Sequence, residues 1–348
     1  MTETLQQVIG ITTPIVLGPF GGLSSIELTA AVSEAGGLGS YGLYGYEPDR
    51  IHDTIGQLRA ATDRPFAVNL WLPMPGEITP AEVDPAPHLA ALAPLYAEAG
   101  VAPPSLPERF LPDSDDQIAA VLDAAPAVLS VVYGVPTAAL LEAAHARGIR
   151  VVGTATTVAE AQALDEAGVD AIVATGSEAA GHRVSFLRPA ERSLVGTFAL
   201  VPQVVDAVRV PVIAAGGIAD RRGVAAAFAL GASGVQVGTA FLRTRQSAAT
   251  EAHRQAIAAA GDTGTVLTRA MSGRLARGIP NRAMRAIEAS GVIAPFPAQN
   301  WLTGAFRAAA GAAGNGDLVS LWAGQAAGLA TREDAGEVFA ELAAGLPG

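Results

Sequence analysis

The stretch Pro211 to Leu242, PVIAAGGIADRRGVAAAFALGASGVQVGTAFL, contains two strand-and-turn units with a helix between them. Pro211 to Ala215 is a short apolar run rich in β-branched residues, which reads as a strand buried on both faces. Gly216-Gly217 turns the chain. Arg221 to Leu230 has helical spacing and stops at Gly231, the residue type that best fills a left-handed C′ position. Gly234 to Val237 is the next strand, and Gly238-Thr239 is its turn. Strand, covering helix and second strand make the βαβ unit of a parallel sheet.

The same rhythm extends outward in both directions. Further strands are predicted at Pro14 to Leu17, Leu38 to Tyr41, Phe66 to Leu70, Val128 to Val132, Arg150 to Thr154 and Ala171 to Ala174. Helices are predicted at Ser25 to Ala35, Ala138 to Arg147, Val158 to Ala167 and Phe198 to Val208, with Gly36, Gly148 and Gly168 as stops. Eight strands close a barrel, so the expected fold class is α/β, a (β/α)8 TIM barrel with a smaller, mostly helical cap or insertion. Residues 1–246 and 317–348 are assigned to the barrel, with a proline-rich excursion at 73–112. Residues 247–316, where the strand signal stops, are assigned to a helix-and-loop cap over the barrel mouth, and Leu318 to Leu346 to terminal helices.

Composition removes several chemistries. Cysteine is absent, which excludes thiolate nucleophiles, thiolate zinc sites and iron–sulfur ligation. All 22 basic residues are arginine, so lysine Schiff bases cannot form. A net charge of -11 without a basic stripe argues against nucleic acid. The histidines are scattered, and no HxH or HExxH spacing offers a metal site. MTETLQQVIG lacks the positively charged start of a signal peptide, so a cytoplasmic protein is expected. The uncharged stretches Ala124 to Leu141 and Gly223 to Leu242 are broken by prolines and glycines and read as strand, loop and helix rather than membrane spans.

Chemistry in such a barrel sits at the C-terminal strand ends, where the last two loops commonly cradle phosphate. Gly216-Gly217 and Gly238-Thr239 occupy those loops, and glycine there lets backbone N–H groups approach an anion. VATGSEAAGH, Val173 to His182, adds a third glycine turn and a histidine able to act as general base. Glu178, four residues earlier, either orients His182 or keeps the loop polar. His52, His88, His145 and His253 are assigned to solvated faces. Asn69, ending strand three, offers a donor and an acceptor suited to a flavin's pyrimidine edge, or stabilises a turn. Arg274 and Arg277 in SGRLARGIPN either meet an anion at the barrel mouth or make surface ion pairs.

PIVLGPFGG, AGGLGSYG, FAVNLWLP, GSEAAGHR, PVIAAGGIAD, GASGVQVGTAFL and SGRLARGIPN occur in an order that resembles the nitronate monooxygenases, FMN-dependent (β/α)8 barrels. The resemblance implies that FMN is held by Pro19, Phe20, Asn69, Thr175, Ala180, Gly181, Gly216, Gly217, Gln236, Val237, Gly238 and Thr239, with His182 as the active-site histidine. The chain departs from the family pattern at Thr175, where glutamine is usual, at Ala180 within the usual EAGGH, and at Gly18-Pro19-Phe20 in place of Ala-Pro-Met. The implied activity is oxidation of alkyl nitronates, or their parent nitroalkanes, with O2 to a carbonyl compound and nitrite. His182 then abstracts an α-proton or hydrogen-bonds the anion. Three other readings stay open: an FMN-dependent NAD(P)H-linked reductase of enoyl-thioesters or quinones, a flavin-free barrel isomerase or lyase, and a flavin binder without turnover. The partners expected are a small-molecule substrate and O2, with oligomeric state open.

Overall fold

Eight parallel strands wind around a common axis in a computed structural model that describes residues 4–347. In chain order they are β1 (Ile15–Leu17), β2 (Gly39–Gly42), β3 (Phe66–Trp71), β4 (Val128–Val132), β5 (Arg150–Ala155), β6 (Ala171–Thr175), then β8 (Val212–Ala215) and β9 (Gly234–Val237), with the short β7 (Gly181–His182) outside the barrel. Pairing runs β1-β9-β8-β6-β5-β4-β3-β2, and the seam is closed by Leu17 N–H donating to the Leu38 carbonyl and Leu38 N–H to the Ile15 carbonyl, each at 2.9 Å. All eight predicted strands are present. Both uncharged stretches resolve into short strands, loops and helices, and no helix of the described residues is long and apolar enough to cross a membrane.

Alternation along the strands sorts the side chains. Val16, Leu38, Ala67, Val128, Val152, Val173 and Ile213 form one buried cluster with Leu5, Val8 and Ile9 of the N-terminal helix Leu5–Ile9. That helix closes the end of the barrel away from the strand C-termini, since a Cβ on Gly234, at the start of β9, would collide with Leu5. Leu5 is fully buried, and trimming it to alanine would cost roughly 2–5 kcal/mol. The outer set, including Leu17, Val68, Val131, Val151, Ile172, Val212 and Val235, packs with the surrounding helices in the main core. Those helices stop as the glycines predict, with Gly36, Gly148, Gly168 and Gly231 all at positive φ.

The 247–316 segment departs from its expected helix-and-loop content. It contains the helices Glu251–Ala259, Arg282–Ser290 and Ala298–Ala312, but also an antiparallel pair, β10 (Val266–Thr268) and β11 (Ala276–Gly278). β11 pairs in turn with β7, setting Ala276 opposite His182 and Arg277 opposite Gly181. His182 therefore lies on a strand shared with the cap and not on a free loop. The helix Ala86–Ala99 of the proline-rich excursion packs against the cap, where Leu92, Leu95 and Tyr96 join Met271, Met284, Ile287, Leu302 and Phe306 in a separate core. Leu318 belongs to that second core, whereas Val338 and Leu342 of the last helix, Ala335–Ala343, pack on the barrel.

Candidate active site

The strand C-termini and the cap enclose a cavity of about 260 Å3, near the lower edge of small-molecule sites at ~300–1,000 Å3. Of the residues singled out in sequence, Pro19, Phe20, Asn69, Thr175, Ala180, Gly181, His182, Gly216, Gly217, Gln236, Gly238 and Thr239 all line it. Val237 does not: its side chain is in the main core, and its carbonyl accepts the Gly18 N–H at 2.8 Å. Alternation explains this, because Gln236 faces inward and its successor must face outward.

The glycine turns have the geometry of a cradle. Gly216 and Gly217 have φ of 103° and 75°, the left-handed region that glycine enters without strain. The backbone N–H groups of Gly217, Gly238 and Thr239 have no acceptor among the described residues. A Cβ on Gly238 would lie 3.4 Å from the Phe20 ring, so Phe20 packs directly over this turn. Asn69 Nδ2 donates to the Ser130 carbonyl at 3.2 Å and its hydroxyl at 3.0 Å, leaving Oδ1 with no protein donor. The Gln236 side-chain amide is also without a protein partner among the described residues.

The loop between β6 and β7 is held from outside the cavity. Arg183, which follows the histidine, is buried and turns back to donate to the carbonyls of Gly176 at 2.7 Å and Thr175 at 2.9 Å. Arg277 donates to the Ser177 carbonyl at 2.8 Å, so it is a structural strut and neither an anion ligand nor a surface ion pair. Glu178 accepts from the Thr197 N–H at 2.9 Å and its hydroxyl at 3.0 Å. It ties two loops together and does not orient His182. Glu160, wholly buried, accepts from Phe186 N–H at 2.7 Å and from Thr156, and so fixes the chain that leaves β7.

His182 instead meets the cap, with Nε2 2.8 Å from Ser272 Oγ. Its ring is edge-on to Trp71 at 5.0 Å and tilted against Trp322 at 5.4 Å, and Tyr44 and Phe296 continue this aromatic wall around Trp71. Burial, followed by the positive charges of Arg274 and Arg307, pushes its pKa down to about 3, so the imidazole is neutral at physiological pH. Arg274 is paired with Glu77 and stacked on Phe296 at 3.8 Å and Tyr133 at 4.1 Å, which places it behind the aromatic wall. The His253 side chain is buried, not solvated: its Nε2 lies 3.0 Å from the Trp322 carbonyl and helps hold that segment over the cavity.

Sequence reading did not single out Tyr44, Trp71, Ser272, Phe296, Asn300, Arg307, Trp322 or Gly324. A close approach makes Gly324 necessary, since a Cβ there would lie 2.8 Å from the Glu178 carbonyl oxygen. Among the described residues no cluster of three or more histidines and carboxylates forms a metal-binding group.

The nitronate monooxygenase family model matches residues 2–345. A probable nitronate monooxygenase of Staphylococcus aureus strain Newman is 39% identical over 345 residues, covering 97% of this chain and 95% of that one. Nitroalkane oxidase from Streptomyces ansochromogenes, known from crystal structures, superposes with a TM-score of 0.87 at 35% identity, covering 98% of this chain and 97% of that one. FabK from Thermotoga maritima follows at TM-score 0.76 and 30% identity, covering 98% of this chain and 95% of that one.

Proposed function

Because the chain belongs to the nitronate monooxygenase family and is an oxidoreductase, we propose that it oxidises alkyl nitronates at bound FMN with O2, giving a carbonyl compound and nitrite. One observation carries this reading: two strand-end turns with unpartnered amides, a third glycine turn and a neutral histidine wall the same cavity. Those amides fit the phosphate of FMN, and the open acceptor of Asn69 with the amide of Gln236 fits the polar edge of its ring. FMN would supply the electron acceptor and the point of reaction with oxygen.

The protein's own part follows from the His182 environment. An imidazole whose conjugate acid has a pKa of about 3 is a weak base for a carbon acid, so the preformed nitronate anion suits this site better than the neutral nitroalkane. His182 then serves by hydrogen bonding the nitronate oxygens. Trp71, Trp322, Tyr44 and Phe296 exclude water around it, which strengthens each polar contact inside. Replacing His182 with asparagine is expected to lower kcat/KM for a nitronate by roughly 10- to 100-fold. Wild-type turnover of both nitronate and nitroalkane by that variant would remove the assignment.

A second reading, an FMN-dependent NAD(P)H-linked reductase, is supported by the likeness to FabK. The same glycine turns would serve it, and reduction by NADH or NADPH separates the two.

A further inference from the structure

The cap helix Ala298–Ala312 carries a single charged side chain, Arg307, and it lines the cavity. Its Nε donates to the Thr303 carbonyl at 3.3 Å and its Nη1 to Ser320 Oγ at 3.0 Å. Its Nη2 donates to the Asn300 carbonyl at 2.9 Å and to Asn300 Oδ1 at 2.7 Å. Every acceptor is neutral. Asn300 is itself anchored, donating from Nδ2 to the Tyr44 hydroxyl at 3.2 Å, and Tyr44 stays protonated because burial raises its pKa. Among the described residues Arg307 has no carboxylate within 4.0 Å, whereas Arg274 has Glu77.

A guanidinium withdrawn from bulk water without a counter-charge is costly unless something negative arrives. Burial lowers its pKa only to about 10, so it remains a cation at neutral pH. Four of its five N–H groups hold it in place, and one hydrogen on Nη1 remains free. It also lies at the histidine end of the cavity: Asn300, which it grips, bonds the Tyr44 hydroxyl, and the Tyr44 ring packs at 4.2 Å on Trp71, which stands 5.0 Å from His182.

We propose that Arg307 supplies the positive charge of a substrate subsite for a small planar oxyanion beside His182, and so selects the nitronate over the neutral nitroalkane. This deepens the functional reading above and rests on it for the identity of the substrate. The subsite itself can be probed without turnover, using nitrate as an unreactive planar oxyanion and nitromethane as its neutral counterpart. Calorimetric titration of the flavin-loaded protein is expected to show nitrate binding at least about tenfold tighter than nitromethane. Arg307→Met is expected to weaken nitrate binding by roughly 10- to 100-fold at unchanged flavin content, and Arg307→Lys to restore most of it.

Equal nitrate affinity in wild type and Arg307→Met overturns the proposal. So does loss of flavin from Arg307→Met with normal nitrate binding after flavin is added back, which would assign the charge to the cofactor. If Arg307→Met does not fold, wild-type protein that binds nitrate no better than nitromethane overturns it alone. Arg307-dependent nitrate binding in an enzyme that does not turn over nitronate would leave the subsite standing and remove the functional reading instead.

Discussion

His182 Nε2 and Ser272 Oγ lie 2.8 Å apart, bridging the strand after β6 to the turn before β11. Ser272 has one hydroxyl hydrogen and two acceptors within reach, this imidazole nitrogen and the Arg274 carbonyl at 3.3 Å. Where the hydroxyl donates to Nε2, the neutral ring carries its hydrogen on Nδ1. Ser272 is therefore a positioning residue that acts through the histidine.

Ser272→Ala removes one hydrogen bond worth about 0.5–1.5 kcal/mol and frees the tautomer. A fall of roughly 2- to 12-fold in kcat with little change in KM is expected, and Ser272→Thr should recover most of it. Imidazole nitrogen shifts by NMR supply the second check: they should show Nδ1 protonated in wild type and a mixture in the alanine variant. Identical spectra would mean that the serine does not set the tautomer.

Gly217→Ala should separate cofactor binding from folding. A Cβ there meets only the Glu178 side chain, at 3.7 Å, but the residue has a φ of 75°. The left-handed conformation costs about 1–2 kcal/mol in stability, and the methyl shields an amide assigned to the phosphate. Flavin occupancy should fall several-fold while the melting temperature drops by only a few degrees. Full occupancy in this variant would take the phosphate away from this turn.

Glu178→Gln should weaken the fold without altering the histidine. The carboxylate accepts from both Thr197 groups, and charged hydrogen bonds of this kind contribute about 1.5–3 kcal/mol. Denaturant unfolding measures the loss, and the pH profile of nitronate turnover should not move. A shifted profile would restore the role of orienting His182.

Acid sensitivity should trace to His253 and His182. Burial lowers the His253 pKa from 6.5 to about 4, so below pH 6.5 the unfolded chain binds more protons than the native one. The stability is complete above pH 6.5 and declines as pH falls toward 4, by on the order of 3 kcal/mol. His182 adds a decline of the same sign that continues to about pH 3. His253→Gln should flatten the melting-temperature curve between pH 4 and 6.5, and parallel curves for the two proteins would refute the assignment.

The barrel was legible because each strand is a short run of β-branched residues ending in a polar or glycine turn, and because the helix stops are glycines that proved to have positive φ. The hairpin β10–β11 was not legible: each strand has three residues, and Arg277 stands in the middle of one. Glycines and the histidine drew attention because they sit directly at strand ends. The aromatic wall gave no such signal, since Tyr44, Trp71, Phe296 and Trp322 come from distant segments and only the fold brings them together. Arg307 gave no signal in the sequence, and its isolation from carboxylates among the described residues is a property of tertiary packing. The role of Glu178 stayed open between two readings and His253 was misread for the same reason: their partners, Thr197 and the Trp322 carbonyl, lie 19 and 69 residues away.

The central claim is that this cavity holds a flavin reduced by nitronate. Purified protein should show a flavin absorption spectrum, and anaerobic addition of a nitronate in the same cuvette should bleach it at once, before any NADH is added. A colourless protein, or a flavin that bleaches with NADH but not with nitronate, would contradict the account.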